Sequence, residues 1–120
     1  MEALLDTNVF VAVLVEDDVN HREALGICSD AEKVHVPLIS VGQFEYFVVK
    51  HKLGSEAIQE LVNDPKVEIV PNTSQDIRFA LTREPKSYGD LNNCLILSAA
   101  TRTSLPLLTF DEELRRLVKS

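Results

Sequence analysis

Cysteine, glycine and proline are scarce in this sequence of 120 residues. Two cysteines, four glycines and five prolines exclude a disulfide-built scaffold, a collagen-like chain and a low-complexity linker. The longest apolar stretches, such as Val9 to Val15, are much shorter than the roughly 20 residues that span a bilayer. Hydrophobic residues make up 45% and charged residues 26%, which is ordinary globular composition. We therefore expect one domain, covering residues 1–120.

The two cysteines also indicate the cellular compartment. Cys28 and Cys94 show no metal-ligand spacing, and we expect two buried thiols of a reducing compartment in preference to a disulfide. Met1 is followed almost at once by a strand-like segment, which leaves no room for a signal peptide. The expected protein is cytoplasmic and does not associate with membranes.

Basic residues are few relative to acidic ones, 12 against 19, and the net charge is −7. This balance argues against sequence-independent binding to a phosphate backbone, which requires a basic face. It is equally compatible with acids gathered at a cation site or with a basic protein partner. The segment Lys50–Lys52 and the residues Arg78, Arg83 and Lys86 are local basic groups that could guide RNA, although ordinary solvated surface also explains them.

Short apolar runs alternate with helical patterns, which predicts βα units and an α/β fold with a parallel sheet covered on both faces. The predicted strands are Ala3–Leu5, Val34–Val36, Val67–Val70 and Leu105–Thr109. The predicted helices are Val9–Val15, His21–Glu32, Ser40–Leu53, a short helix capped by Ser55, Thr73–Arg83, Leu91–Arg102 and Glu112–Lys119.

Several acidic residues fall where this sheet would bring them together. Asp6 follows the first strand and Asp111 follows the fourth, and ligands of open α/β sheets bind beyond the carboxyl ends of the strands. Asp90 precedes a helix that leads to the fourth strand, so it can lie at the same edge. Glu45 lies inside a helix among apolar neighbours. N-capping by each Asp and solvent exposure of Glu45 explain the acids singly, but not their arrival at one edge.

A cluster of carboxylates predicts a bound cation. Two carboxylates 4 Å apart repel by roughly 4 kcal/mol at an effective dielectric of about 20. Carboxylate oxygens favour Mg²⁺ or Mn²⁺ over Zn²⁺, which prefers His or Cys. The histidines His21, His35 and His51 lie in unrelated segments and offer no such ligand set. A metal held by acids can activate water and stabilise charge at a phosphodiester.

Four sequence blocks, in order, resemble the PIN domain family. Leu4–Asn8 is similar to the opening motif of the family, and Leu107–Asp111 is similar to its last acidic motif. Ser40–Glu45 resembles the glutamate-bearing helix, and Cys94–Ala100 resembles the helix that follows the third acid. Each block alone is weak, but together they span nearly the whole chain.

This resemblance implies a Mg²⁺- or Mn²⁺-dependent ribonuclease with a three-layer fold and strand order 3-2-1-4. Small members of the family are typically VapC-type toxins that form homodimers and are held inactive by a cognate antitoxin supplying basic residues. By position, Asp6, Glu45 and Asp111 match metal-site acids, and Thr109 matches a hydroxyl residue that helps to orient the site. The short segment after Leu117 leaves little room for the fifth strand that many members have.

One position departs from the family pattern. The third acid would fall directly before Cys94, where this chain has Asn93. Asp90 lies three residues earlier, on the same face of a helix, and could take over this role, while Asn93 could offer an amide oxygen. The expected metal ligands are therefore Asp6, Asp90 and Asp111, with Glu45 as a ligand or a water-orienting base.

Three functions follow as hypotheses. The leading one is a metal-dependent endoribonuclease, a toxin that hydrolyses RNA with activated water and without a covalent intermediate. The second, kept open by Asn93, is a catalytically weak PIN module that binds RNA or a partner protein. The third is a phosphotransfer domain, which the sequence disfavours. Its third strand ends without an acid, Asn8 occupies the place of the second Asp of haloacid dehalogenases, and there is no Walker-type glycine loop.

Overall fold

The first strand, β1 (Glu2–Leu5), is a continuous apolar run because both of its faces are covered. In the computed structural model, which describes residues 1–119, Ala3, Leu4 and Leu5 are fully buried. Side chains alternate between the two faces of a strand. Ala3 and Leu5 accordingly pack into one hydrophobic cluster and Leu4 into another.

Four strands form a parallel sheet in the order β3-β2-β1-β4. The strands are β1, β2 (Lys33–Pro37), β3 (Val67–Val70) and β4 (Leu107–Leu108). β1 pairs with β2 on one side and with β4 on the other, where Leu4 and Leu5 lie opposite Leu107 and Leu108. The sheet and its strand order confirm the prediction.

Seven helices connect and cover these strands within residues 1–119. They are α1 (Thr7–Leu14), α2 (His21–Asp30), α3 (Leu38–Lys50), α4 (Glu56–Asn63), α5 (Ser74–Thr82), α6 (Tyr88–Thr103) and α7 (Glu112–Lys119). Buried residues of α1, α2, α3 and α4 cover the face of Ala3 and Leu5, whereas α6 and α7 cover the face of Leu4. The predicted three layers are therefore present.

The predicted bounds of α6 and β4 differ from the observed ones. Helix α6 begins at Tyr88 and not at Leu91, because the Ser87 hydroxyl accepts a hydrogen bond from the Asp90 N–H at 3.1 Å and caps the helix. Asp90 therefore lies within the first turn and is not the N-cap. Strand β4 has two residues in place of five. It is short because its partner strand β1 ends at Leu5 and because Pro106 has no N–H to donate.

A buried carboxylate fixes the position of α6 against α5. Asp76 is fully buried and accepts hydrogen bonds from Ser98 Oγ at 2.8 Å and from Arg102 Nη2 at 3.1 Å. It also forms a capping box with Thr73 at the start of α5. Burial alone would raise the pKa of Asp76, but hydrogen bonds from Arg102, Ser98 and the Thr73 N–H outweigh it, and the pKa is lowered. This ion pair holds the helix that carries Asn92 and Asn93.

Both cysteines are free thiols, as predicted, although Cys28 is partly exposed and only Cys94 is buried. Among residues 1–119, no helix is both long enough and apolar enough to cross a membrane.

Candidate active site

A cleft of about 920 Å³ opens beyond the carboxyl ends of β1 and β4, at the edge that the sequence predicts. Three segments form most of its wall: the turn between β1 and α1, one face of α3, and the first turns of α6. Its polar lining residues are Asp6, Thr7, Asn8, Gln43, Asn92, Asn93 and Asp111, together with the basic side chains of Lys50 and His51.

Asp6 lies at the base of the cleft and is only 6% exposed. Its Oδ1 accepts a hydrogen bond from the Thr7 N–H at 2.7 Å and so caps α1. Its Oδ2 accepts from the Thr109 hydroxyl at 2.8 Å. Burial raises the pKa of Asp6, the charge of Asp111 raises it further, and the bonds from Thr109 and Thr7 only partly offset this. A cation or a proton is therefore favoured at this carboxylate.

Thr109 joins the two ends of the chain at this site. It is 4% exposed, and besides donating to Asp6 its Oγ1 accepts from Asn8 Nδ2 at 3.1 Å and from the Asp111 N–H at 3.0 Å. Asn8 Oδ1 in turn accepts from the Phe110 N–H at 3.1 Å. This network fixes the backbone of Asp111 relative to Asp6.

Asp111 is the second carboxylate of the cleft. Its Oδ1 accepts from the Leu114 N–H at 2.9 Å and caps α7, while no described residue donates to its Oδ2. Asp6 and Asp111 thus both cap helices and both face the cleft. Helix capping and a place in the site are therefore compatible for each of these acids.

Gln43, and not Glu45, projects from α3 into the cleft. The lining residues Ile39, Gly42, Gln43, Tyr46, Phe47 and Lys50 recur at the spacing of one helical face. A residue two positions along a helix points about 200° away, and Glu45 is accordingly exposed and does not line the cleft. The Thr7 hydroxyl donates to Gln43 Oε1 at 2.7 Å, which links Gln43 to the residue after Asp6.

Helix α6 shows the same pattern. Tyr88, Gly89, Asn92 and Asn93 line the cleft, whereas the Asp90 carboxylate accepts a hydrogen bond from the Lys86 N–H at 3.1 Å, on the loop before the helix. Asn92 is 3% exposed, and its Oδ1 accepts no hydrogen bond from any described residue.

The structure therefore brings together four of the six predicted site residues: Asp6, Asn93, Thr109 and Asp111. Glu45 and Asp90 lie outside the cleft wall. Residues 1–119 contain no group of three or more His, Cys, Asp or Glu that could share a metal. Gln43 and Asn92 also line the cleft; a pattern of acidic residues does not indicate them, although the helical spacing around Gly42 and Tyr88 could have indicated both.

The remaining donor set still fits a hard cation. Mg²⁺ in proteins is commonly held by one or two carboxylates and completes its octahedron with water and substrate phosphates. Asp6 and Asp111 supply two carboxylates, and the amide oxygens of Gln43, Asn92 and Asn93 are neutral donors of the same hard type. Such a set carries little negative charge, so the affinity for a divalent ion is expected to be modest.

The fold, the edge of the sheet and the cleft define an α/β domain with two carboxylates beyond its parallel sheet, and comparison with known proteins identifies the family. The family model of the PIN domain matches residues 3–120, and the chain belongs to this family. No curated protein matches the sequence.

Several solved structures share the fold. The Mycobacterium tuberculosis toxin VapC20, described as cleaving the sarcin–ricin loop, superposes with a TM-score of 0.80 at 12% identity, over 96% of this chain and 94% of that one. Rickettsia felis VapBC2, solved with a DNA fragment of the promoter, has a TM-score of 0.66 at 20% identity, with 97% and 92% covered. FitAcB of Neisseria gonorrhoeae has a TM-score of 0.66 at 22% identity, with 99% and 94% covered.

Proposed function

We propose that this protein is a metal-dependent endoribonuclease and the toxin of a toxin–antitoxin pair. The observation that carries the proposal is the meeting of Asp6 and Asp111, from opposite ends of the chain, in one cleft beyond the carboxyl edge of the sheet. Membership of the PIN domain family supports it, as does the structural likeness to a toxin described as cleaving an RNA loop.

In this mechanism, Asp6 and Asp111 hold Mg²⁺ or Mn²⁺, and the amide of Asn93 supports them. When bound, the metal supplies activation of water and stabilisation of charge at the phosphodiester. Thr109 keeps the Asp6 carboxylate oriented through its hydroxyl. Because the carboxylate of Asp6 is buried, water screens its charge only weakly, and its attraction for a cation in the cleft is strong. Glu45 and Asp90 remain predicted contributors that would have to move to reach the cleft.

The proposed partners follow from the same cleft. RNA is the substrate, and an antitoxin that presents Arg or Lys would neutralise Asp6 and Asp111 in place of a metal. Two solved structures that share the fold, VapBC2 and FitAcB, have names that combine two components, and this supports a toxin–antitoxin pair. A homodimer is also proposed, in line with the family.

The test is cleavage of a mixed RNA substrate by antitoxin-free protein with Mn²⁺ and with EDTA. Asp6→Asn and Asp111→Asn are expected to lower the rate at least about 100-fold, because each removes a carboxylate from the metal site. Glu23→Gln, an exposed change on α2, is the matched control. Glu45→Gln and Asp90→Asn test the two acids outside the cleft, and a loss of cleavage in either would restore it to the site.

A second function has its own observation. Amides occupy the cleft wall at Gln43 and Asn93, and a pocket with only two carboxylates is suited to binding RNA without efficient cleavage. Folded protein that fails to cut a varied RNA set and shows no Mn²⁺ binding by calorimetry would support this catalytically weak module. Cleavage that requires metal and is lost in Asp6→Asn would exclude it.

A further inference from the structure

The outer part of the cleft is aromatic. Tyr46 projects from α3 and Tyr88 from the first turn of α6, and both line the cleft. Tyr46 is 68% exposed and Tyr88 is 73% exposed, although aromatic side chains usually bury a large apolar area. Phe47 and His51 continue this wall, with ring centroids 4.4 Å apart. Flat, accessible rings at the mouth of a polar cleft are suited to stacking with another flat ring.

Amide groups lie in the same cleft. Gln43, Asn92 and Asn93 all line it, and the Asn92 Oδ1 is buried without a hydrogen-bond donor from any described residue. Buried polar atoms in folded proteins nearly always have a partner, and an unpaired one is unfavourable. By contrast, Gln43 and Asn93 are only partly buried, so that a ligand in the cleft can reach their amides.

Charge limits which ligand fits. Lys50 and His51 are the basic residues of the wall, and the acidic residues Asp6 and Asp111 line the same cleft, so the wall has no clear excess of basic residues. A site for phosphate alone would need a clear excess of positive charge. Aromatic rings with amides instead match the way in which proteins recognise unstacked bases, by stacking on the ring and hydrogen bonding to the base edge.

We propose that the Tyr46–Tyr88 side of the cleft binds an unpaired RNA base, by stacking on tyrosine and hydrogen bonding to the Asn93 amide. This inference rests on the proposed function, because the site lies in the same cleft as Asp6 and Asp111, and it names the residues that hold a base of the substrate. A base in a duplex is already stacked and paired, so it cannot occupy this site.

The chain offers a clean probe, because its only two tyrosines are Tyr46 and Tyr88. Full-length protein labelled with 3-fluorotyrosine should give two ¹⁹F resonances, assigned with Tyr46→Phe and Tyr88→Phe. In EDTA, a short single-stranded RNA is expected to shift both resonances. An abasic oligomer of the same length and a duplex of the same sequence are expected to shift neither.

Affinity is measured in the same buffer by fluorescence anisotropy with end-labelled RNA. Tyr46→Leu and Tyr88→Leu should each weaken binding roughly 5- to 150-fold, the range for loss of one stacked base, while the Phe variants retain it. Leu81→Ala, an exposed apolar change on α5, is the matched control. Circular dichroism melting verifies that each variant is folded.

Three outcomes would overturn the inference: unchanged affinity in both Leu variants, equal binding of the abasic oligomer, or tyrosine resonances that shift on dilution of the protein alone. The last would assign this surface to a contact between copies of the chain. Because EDTA prevents metal-dependent cleavage, failure here is distinct from failure of the nuclease proposal. Cleavage without tyrosine-dependent binding rejects the base site alone, and binding without cleavage rejects only the nuclease.

Discussion

Two amides in the cleft wall, Gln43 and Asn93, are the basis of a quantitative prediction. Replacing both with acids, in the double variant Gln43→Glu/Asn93→Asp, doubles the number of carboxylates that face the cleft beside Asp6 and Asp111. The side chains keep nearly the same size and shape. The change is therefore one of charge, and it should destabilise the metal-free protein while tightening the binding of Mg²⁺ or Mn²⁺.

The magnitude follows from the hydrogen bonds through Thr7. The Thr7 N–H lies 2.7 Å from Asp6 Oδ1 and its hydroxyl lies 2.7 Å from Gln43 Oε1, which places the two acceptors within about 8 Å of each other. At an effective dielectric of about 20, two unit charges at that separation repel by about 2 kcal/mol. The metal-free melting temperature of Gln43→Glu should then fall by about 5–10 °C.

A divalent cation reverses the sign of this effect. The affinity of a carboxylate site rises with the number of its charges, and we expect the double variant to bind Mn²⁺ at least about tenfold more tightly, equivalent to about 1.4 kcal/mol. Titration calorimetry gives the dissociation constant, and thermal melting with and without Mn²⁺ gives the stability. Saturating Mn²⁺ should raise the melting temperature of the double variant more than that of the wild type.

The matched control is Gln59→Glu/Asn63→Asp. Both positions are exposed on α4 and away from the cleft, and the double change has the same composition, charge and helical setting. If Mn²⁺ affinity in the cleft variant equals that of this control, then Gln43 and Asn93 do not face a metal position, and the reasoning from the cleft lining is refuted.

Two further predictions concern the buried carboxylates. Burial raises the pKa of Asp6 above its ordinary value of 3.8, so its ionisation costs stability, and Asp6→Asn should stabilise the fold at neutral pH by about 0.5–2 kcal/mol. This gain should vanish as pH falls through the raised pKa, and chemical denaturation that shows no gain at neutral pH would contradict it. Asp76→Asn should instead lose about 3–5 kcal/mol, because Arg102 is left with no carboxylate partner in a largely buried ion pair. The pKa of Asp76 is lowered from its ordinary value of 3.8. In the wild type, the stabilisation by Asp76 is therefore complete above pH 3.8 and is lost as the pH falls through the lower pKa of the folded state. Equal acid sensitivity of the wild type and the variant would refute this.

The sheet and the two carboxylates beyond it were predictable because they depend on local features. A central parallel strand is buried on both faces, so β1 is an uninterrupted apolar run, and an Asp directly after a strand lies at the carboxyl edge of the sheet whatever the helices do. Asp6 and Asp111 required no knowledge of side-chain direction. In the structure, Thr109 links the two residues through its hydroxyl group.

The helical site residues were harder to predict because they depend on helix phase. On α3, a shift of two residues turns a side chain by about 200°, enough to exchange Gln43 for Glu45. On α6, the start of the helix decides the phase, and the Ser87 cap sets that start. The structure places Gln43 and Asn93 on the cleft wall and Glu45 and Asp90 outside it, a difference that only the phase of each helix decides.

The charge of the cleft links the weak metal site to the proposed base site. A carboxylate at Gln43 or Asn93 would repel an approaching RNA phosphate by about 2 kcal/mol each at about 8 Å and an effective dielectric of about 20. With amides there, RNA can enter before any metal is bound. The Gln43→Glu/Asn93→Asp variant should therefore bind RNA more weakly in EDTA and Mn²⁺ more tightly than the wild type. If both affinities change in the same direction, the two sites do not share the electrostatic field of one cleft.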